Sequence, residues 1–227
     1  MKVSSKIKVL TLALSAAILI ATSVIGTLAY LASQSTVVNE FSVGNVKIVV
    51  DETKVNLDGT VDTSVSERVD GNKYHLIPGK TYKKDPRVTV KAGSEESYVR
   101  MLVTIDKLKE LKAIFGNDFL PQYYVEGWDN ETWVASGLVE NTTANTVTYE
   151  FRYYDKAAAK DSVDASSATD DIILPELFTS FTLPGKVTGE ELDTIKDMKI
   201  TVVGHAIQKS GFNSAELAWA AFEDQIK

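Results

Sequence analysis

The chain carries two histidines, His75 and His205, 130 positions apart, and no cysteine. A catalytic zinc takes three nitrogen or oxygen ligands and keeps one position for an activated water, commonly with two histidines at i and i+4 on a helix and a glutamate beside them. No H-E-x-x-H occurs. His75 precedes the Ile77-Pro78-Gly79 turn, and His205 shares parity with Lys199 and Thr201 in an alternating run, so each reads as a solvent-facing or hydrogen-bonded histidine. A weak zinc site stays open only if the fold gathers both with a carboxylate. Covalent catalysis would fall to Ser or Thr activated by one of these histidines, but the G-x-S-x-G elbow, the P-loop and the dinucleotide fingerprint are all missing. Asp155, Asp161, Asp164, Asp170 and Asp171 offer oxygen ligands for calcium without the spacing of a twelve-residue calcium loop, and read as a solvated face. Tyr123, Tyr124, Trp128 and Trp133 form an aromatic-rich stretch that suits either core packing or a binding surface. These residues assign no catalytic centre and no cofactor.

The elements that would position them are strands. Val46, Ile48 and Val50 alternate with Asn45 and Lys47, and Val88 and Val90 with Arg87, Thr89 and Lys91. The longest alternations are Val99, Met101, Val103 and Ile105, then Val147, Tyr149, Phe151 and Tyr153. Near the end, Met198 to Ile207 alternates with enough apolar residues on both parities to be buried on two faces for part of its length. Asp58-Gly59, Asp70-Gly71, Pro78-Gly79, Ala92-Gly93 and Pro184-Gly185 supply turns between them. Helical spacing breaks in twice. The first helix is expected over Asp106–Phe115, capped by Asp106, with Leu108, Leu111 and Phe115 on one face. The second is expected from Asn213 as N-cap with Glu216 three residues on, burying Ala215, Ala218, Trp219, Phe222 and Ile226. Residues 155–171 are rich in Asp, Ser and Ala without sustained period, and read as a flexible surface insertion with a short helix at Asp155–Lys160. The expected fold is therefore mainly β, an antiparallel β-sandwich with two peripheral helices.

The N-terminus has the pattern of an export signal. Lys2, Lys6 and Lys8 precede an uncharged apolar run from Val9 to Ile25, and Thr27 and Ala29 suit the −3 and −1 subsites of a signal peptidase. Residues 1–29 then form a signal peptide, with an uncleaved membrane anchor as the alternative, since about 20 apolar residues span a bilayer. The 198 residues beyond Ala29 suffice for a single core over 30–227. They hold 21 basic against 31 acidic side chains, a net of −10, and no basic stripe, which argues against nucleic acid as a partner. An exported chain of this length without cysteine folds without oxidative help.

Several segments together resemble the TasA/camelysin family of exported Gram-positive proteins. They are Gly26-Thr27-Leu28-Ala29-Tyr30, Asn39-Glu40-Phe41-Ser42-Val43-Gly44-Asn45-Val46, Ile77-Pro78-Gly79-Lys80, Lys84-Asp85-Pro86-Arg87-Val88-Thr89-Val90, Tyr98-Val99-Arg100, Ala206-Ile207-Gln208, and Gly211-Phe212 with Ala218-Trp219. Residues 110 to 195 match nothing in that pattern, and Leu31, Ala32 and Ser33 depart from it, which leaves the cut between Ala29/Tyr30 and Tyr30/Leu31. The resemblance implies a jelly-roll fold and release by a SipW-type signal peptidase. It also implies secretion and assembly into extracellular biofilm-matrix fibres, as a homopolymer or with a second fibre protein. The freed N-terminal segment would complete a neighbour's sheet. Residues 31–43 suit that role, being uncharged except for Glu40, free of Pro, and carrying Leu31, Val37, Val38, Phe41 and Val43. Some relatives are described as metalloendopeptidases, so a camelysin-like peptidase is the alternative activity. A membrane-tethered adhesin is a third reading. The same segment also suits a plainer role, as the first strand of its own domain.

Overall fold

Ser97–Asp106 (β4) is the axis of the molecule because its alternation is the most regular in the chain. Val99, Met101, Val103 and Ile105 are each at most 4% exposed on one face, while Arg100, Leu102 and Thr104 take the other. The computed structural model describes residues 45–116 and 125–225. All described residues belong to one compact unit, Val43–Lys227. The signal segment 1–29, the cleavage residues Thr27, Ala29 and Tyr30, the assembly residues Leu31, Val37, Val38, Phe41 and Val43, and Tyr123, Tyr124 and Ile226 lie outside the described residues. Among the described residues no helix is long and apolar enough to cross a membrane.

Among the described residues the architecture is mainly β, with three antiparallel sheets and three helices. β4 pairs on one side with β7 (Thr146–Tyr153) and on the other with β10 (Ile200–Gln208), and β6 (Trp133–Asn141) closes the order β10-β4-β7-β6. A second sheet runs β1 (Ile48–Asp51), β3 (Arg87–Val90), β8 (Ile172–Ile173), and a third runs β2 (Thr81–Lys83), β9 (Ser180–Thr182), β5 (Val125–Glu126). Val88 and Val90 of β3 are fully buried and share one apolar cluster with the inner face of β4, Val147, Leu177 and Phe178. Of the two tryptophans of the aromatic stretch, Trp133 is a core residue, 2% exposed and donating Nε1–H to the Pro175 carbonyl at 3.1 Å, and Trp128 is partly buried against that core, stacked on Phe151 at 5.0 Å.

The helices differ from the sequence expectation in their ends and number. Asp106 does not cap the first helix, α1 (Leu108–Phe115). It closes β4, where its carboxylate accepts from the Lys199 N–H at 2.7 Å. Lys107 turns the chain in the left-handed region (φ 61°), and the orphan N–H groups of the first turn are met from the β6–β7 turn. Asn145 Oδ1 accepts from Lys109 N at 2.8 Å, and its carbonyl from Leu108 N at 3.1 Å. A helix not anticipated, α2 (Gly189–Thr194), starts at a capping box: Thr188 Oγ1 accepts from Glu191 N, and Glu191 Oε2 from Thr188 N at 2.7 Å. The last helix, α3 (Ala215–Gln225), begins one residue later than expected, with Ser214 rather than Asn213 at its cap.

Residues 155–171 also depart from expectation. Asp155 and Lys160 form an isolated bridge around a turn, not a helix. Val163 pairs with Ser97 through two 2.9 Å bonds, and Val163 and Ala165 enter the main core, so the segment is threaded into the body by its few apolar residues.

Gly204 of β10 lies under the second sheet, where an added Cβ would meet Val50 Cγ2 at 2.4 Å and Ile48 Cδ1 at 3.3 Å. Gly204→Ala should therefore cost about 1–3 kcal/mol by overpacking. Gly137→Ala on the edge strand, where the nearest atoms are 3.5 Å away, should cost far less. Urea denaturation of both variants measures the contrast, and equal effects would contradict this packing.

Candidate functional site

Two charged clusters are buried in the body. The first gathers where β1 ends. Asp51 and Glu52 leave the strand in succession, and Glu52 is fixed by reciprocal 2.8 Å backbone bonds with Val69. The Arg68 guanidinium donates to Asp51 Oδ1, to Thr53 Oγ1 at 2.9 Å, to Asp85 Oδ2 at 3.3 Å, and to the carbonyls of Asp51 and Asp85. Arg87 and Lys83 add ion pairs to Asp51 and Asp85, each at 3.3 Å. Burial pushes the Asp85 carboxyl up, but the two hydrogen bonds from Thr53 and the charges of Arg68 and Lys83 outweigh it, so its pKa falls below the usual value.

Beside this network Lys84 Nζ meets Glu52 Oε2 at 2.6 Å, both side chains being under a tenth exposed, and Asn72 Nδ2 donates to Glu52 Oε1 at 2.9 Å. Tyr74 packs edge-on against Tyr82 and Phe181. Burial drives its phenol well above the ordinary range, helped by the charges of Glu52 and Asp85.

This cluster walls a cleft of about 610 Å³ whose other side is formed by Ile200–Val202 of β10 and the preceding Lys196–Lys199 turn. Among the described residues β10 is hydrogen-bonded to a strand on one side only and ends its sheet, and its Thr201 and Val203 are exposed. Val50, Leu76, Met198, Ile200 and Val202 give the cleft apolar walls.

The second cluster contains His205. Arg100, 3% exposed, projects from β4 toward α3 and lies over the rings of Trp219 at 4.4 Å and Phe222 at 5.3 Å, which meet each other edge-on. It donates Nε–H to His205 Nδ1 at 3.2 Å, binds Glu223, and lies 3.6 Å from Glu150. His205, its ring tilted 35° against that of Phe222, is thus a hydrogen-bonded partner of a cation rather than a free ligand. Burial pushes its pKa down, and the Arg100 charge adds to that against the opposing pull of Glu223 and Glu150. His75 is exposed in the loop before the Pro78-Gly79 turn, its backbone held by Leu57 and Tyr82. Among the described residues, no three His, Cys, Asp or Glu side chains are grouped to hold a metal ion. Of the five aspartates of 155–171, Asp164 binds Ser166 and Asp171 binds Lys91, both on the surface.

Sequence reasoning did not anticipate the Asp51–Arg68–Asp85 network or the Glu52–Lys84–Asn72 group. Its one signal was the charged Lys84-Asp85-Pro86-Arg87 run. No family model, curated protein or solved structure matches the chain.

Arg68→Met should destabilise the body by about 3–5 kcal/mol, because it strands Asp51 and Asp85 with less compensation; chemical denaturation checks this, and a loss below about 1 kcal/mol would refute the network's role. The unfolded chain protonates His205 below about pH 6.5 while the folded chain resists, so stability present above that pH is lost as pH falls toward the lower folded value. His205→Gln should lose less stability than the parent between about pH 7.5 and 5, as read by denaturation midpoints; parallel losses would contradict the assignment.

Proposed function

We propose that the chain is a secreted structural subunit of extracellular biofilm-matrix fibres of the TasA/camelysin kind, with a jelly-roll-like body. In this reading a SipW-type peptidase frees the N-terminus at Ala29/Tyr30 or Tyr30/Leu31. Residues 31–43 then enter the cleft beside β10 of the next subunit and pair with its free edge. The observation that supports this most directly is that edge, which ends its sheet among the described residues and lines the cleft. The sequence side supports it too, because 31–43 is uncharged except for Glu40 and carries Leu31, Val37, Val38, Phe41 and Val43.

The energetics suffice for a polymer. Each added main-chain hydrogen bond contributes about 0.5–1.5 kcal/mol net, and each buried Val or Phe roughly 1.5–3 kcal/mol. A subunit that both donates and accepts in this way makes a head-to-tail contact, which propagates as a filament unless it closes into a ring.

Electron microscopy of the mature protein should show filaments, and deletion of 31–43 should leave a soluble body that forms none. A mature protein that stays monomeric under all assembly conditions, or a deletion variant that polymerises equally, would overturn the proposal.

A further inference from the structure

The Glu52–Lys84–Asn72 group has an arrangement that an ordinary buried ion pair does not need. Lys84 Nζ and Asn72 Nδ2 bind opposite oxygens of one carboxylate, at 2.6 and 2.9 Å. The carboxamide orientation is dictated by its other partners: Nδ2 donates to the Thr53 carbonyl at 2.8 Å, which can only accept, and Oδ1 accepts from the Val55 N–H at 3.0 Å, which can only donate. Glu52 is 4% and Lys84 6% exposed, Val55 and Pro86 are buried, and Tyr74 lies in the same wall of the cleft. A primary amine, a carboxamide, a carboxylate touching both and a backbone donor on the amide oxygen are the components of an acyl transfer.

We propose that Lys84 and Asn72 become joined by an intramolecular amide bond, with Glu52 as the catalytic acid–base. The Lys84 ammonium passes a proton to Glu52 Oε2 along their 2.6 Å contact, leaving a neutral amine. The amine lone pair attacks Asn72 Cγ, forming the new N–C bond and moving the carbonyl electrons onto Oδ1, where the Val55 N–H stabilises them. Glu52 Oε1 is bonded to Nδ2, so the carboxyl delivers a proton to the departing nitrogen and takes the surplus proton from Nζ. The Cγ–Nδ2 bond breaks, ammonia leaves into the adjoining cleft, and the carbonyl re-forms. The net change is amine plus carboxamide giving secondary amide plus ammonia, with no oxidant, metal or cofactor required.

The bond would tie the loop around Asn72 to the residue that follows β2, giving a chain with no cysteine a covalent staple. Unlike fibre formation, it concerns a single subunit and is independent of the proposed assembly.

Intact-mass spectrometry of the folded full chain decides it. The expected mass is about 17 Da below that of the sequence, one ammonia lost, with a branched tryptic peptide linking Asn72 to Lys84. Glu52→Gln should keep its full sequence mass. Asn72→Asp should reach the same final mass as the parent, because water leaves in place of ammonia. A folded parent at full mass after prolonged incubation, a deficit that persists in Glu52→Gln, or a linkage mapped elsewhere would each overturn the proposal. Should Glu52→Gln not fold, the parent and Asn72→Asp masses decide the matter by themselves.

Discussion

Asp51 and Glu52 leave β1 with their carboxylates turned inward, onto Arg68, Arg87 and Lys84, and the chain between β1 and β3 is arranged around that choice. Charges taken out of water are tolerated only when every remaining donor and acceptor is matched. Here Thr53, Asn72 and two main-chain carbonyls complete the matching. The same residues hold the irregular chain between β1 and β2 in place, where there is little regular ladder to do so. They also form one wall of the cleft, whereas Ile200–Val202 of β10, the last strand of its sheet among the described residues, line it as well.

The strands were legible because alternation survives intact along β4, β7 and β10, where one face is buried and the chain has no freedom to slip by one residue. The two-sided burial expected near the end is met in β10: Val202 and Ala206 pack against the main core, and Ile207 joins Trp219 in a second apolar cluster. Helix ends were less legible, since α1 is capped by Asn145, 36 positions from the N–H it satisfies, and no local spacing encodes that. α2 was readable in principle from Thr188 and Glu191, but its apolar signal is confined to Leu192 and to Ile195 just past its end. In 155–171 the abundance of Asp and Ser hid two residues, Val163 and Ala165, that decide where the segment goes.

The sites were less legible than the fold, for a physical reason. Metal and nucleophile motifs are recognisable because one helix or one turn carries several members at fixed spacing. Glu52, Asn72 and Lys84 come from a strand end and two loops, 20 and 12 positions apart, and only the tertiary fold brings them together. His205 illustrates the converse: its residue type suggested chemistry, while its surroundings, Arg100 and Phe222, engage it on ring edge and ring face.

β10 and α3 are the last elements of the body, yet β4, at its centre, depends on both. Until the final thirty or so residues arrive, one edge of β4 has no ladder and the Arg100 guanidinium has neither its aromatic partners nor Glu223. A chain delivered amino end first therefore cannot consolidate this sheet early. Emergence of the chain and closure of the sheet become successive events, ordered by where the closing strand and its clasp sit along the polypeptide.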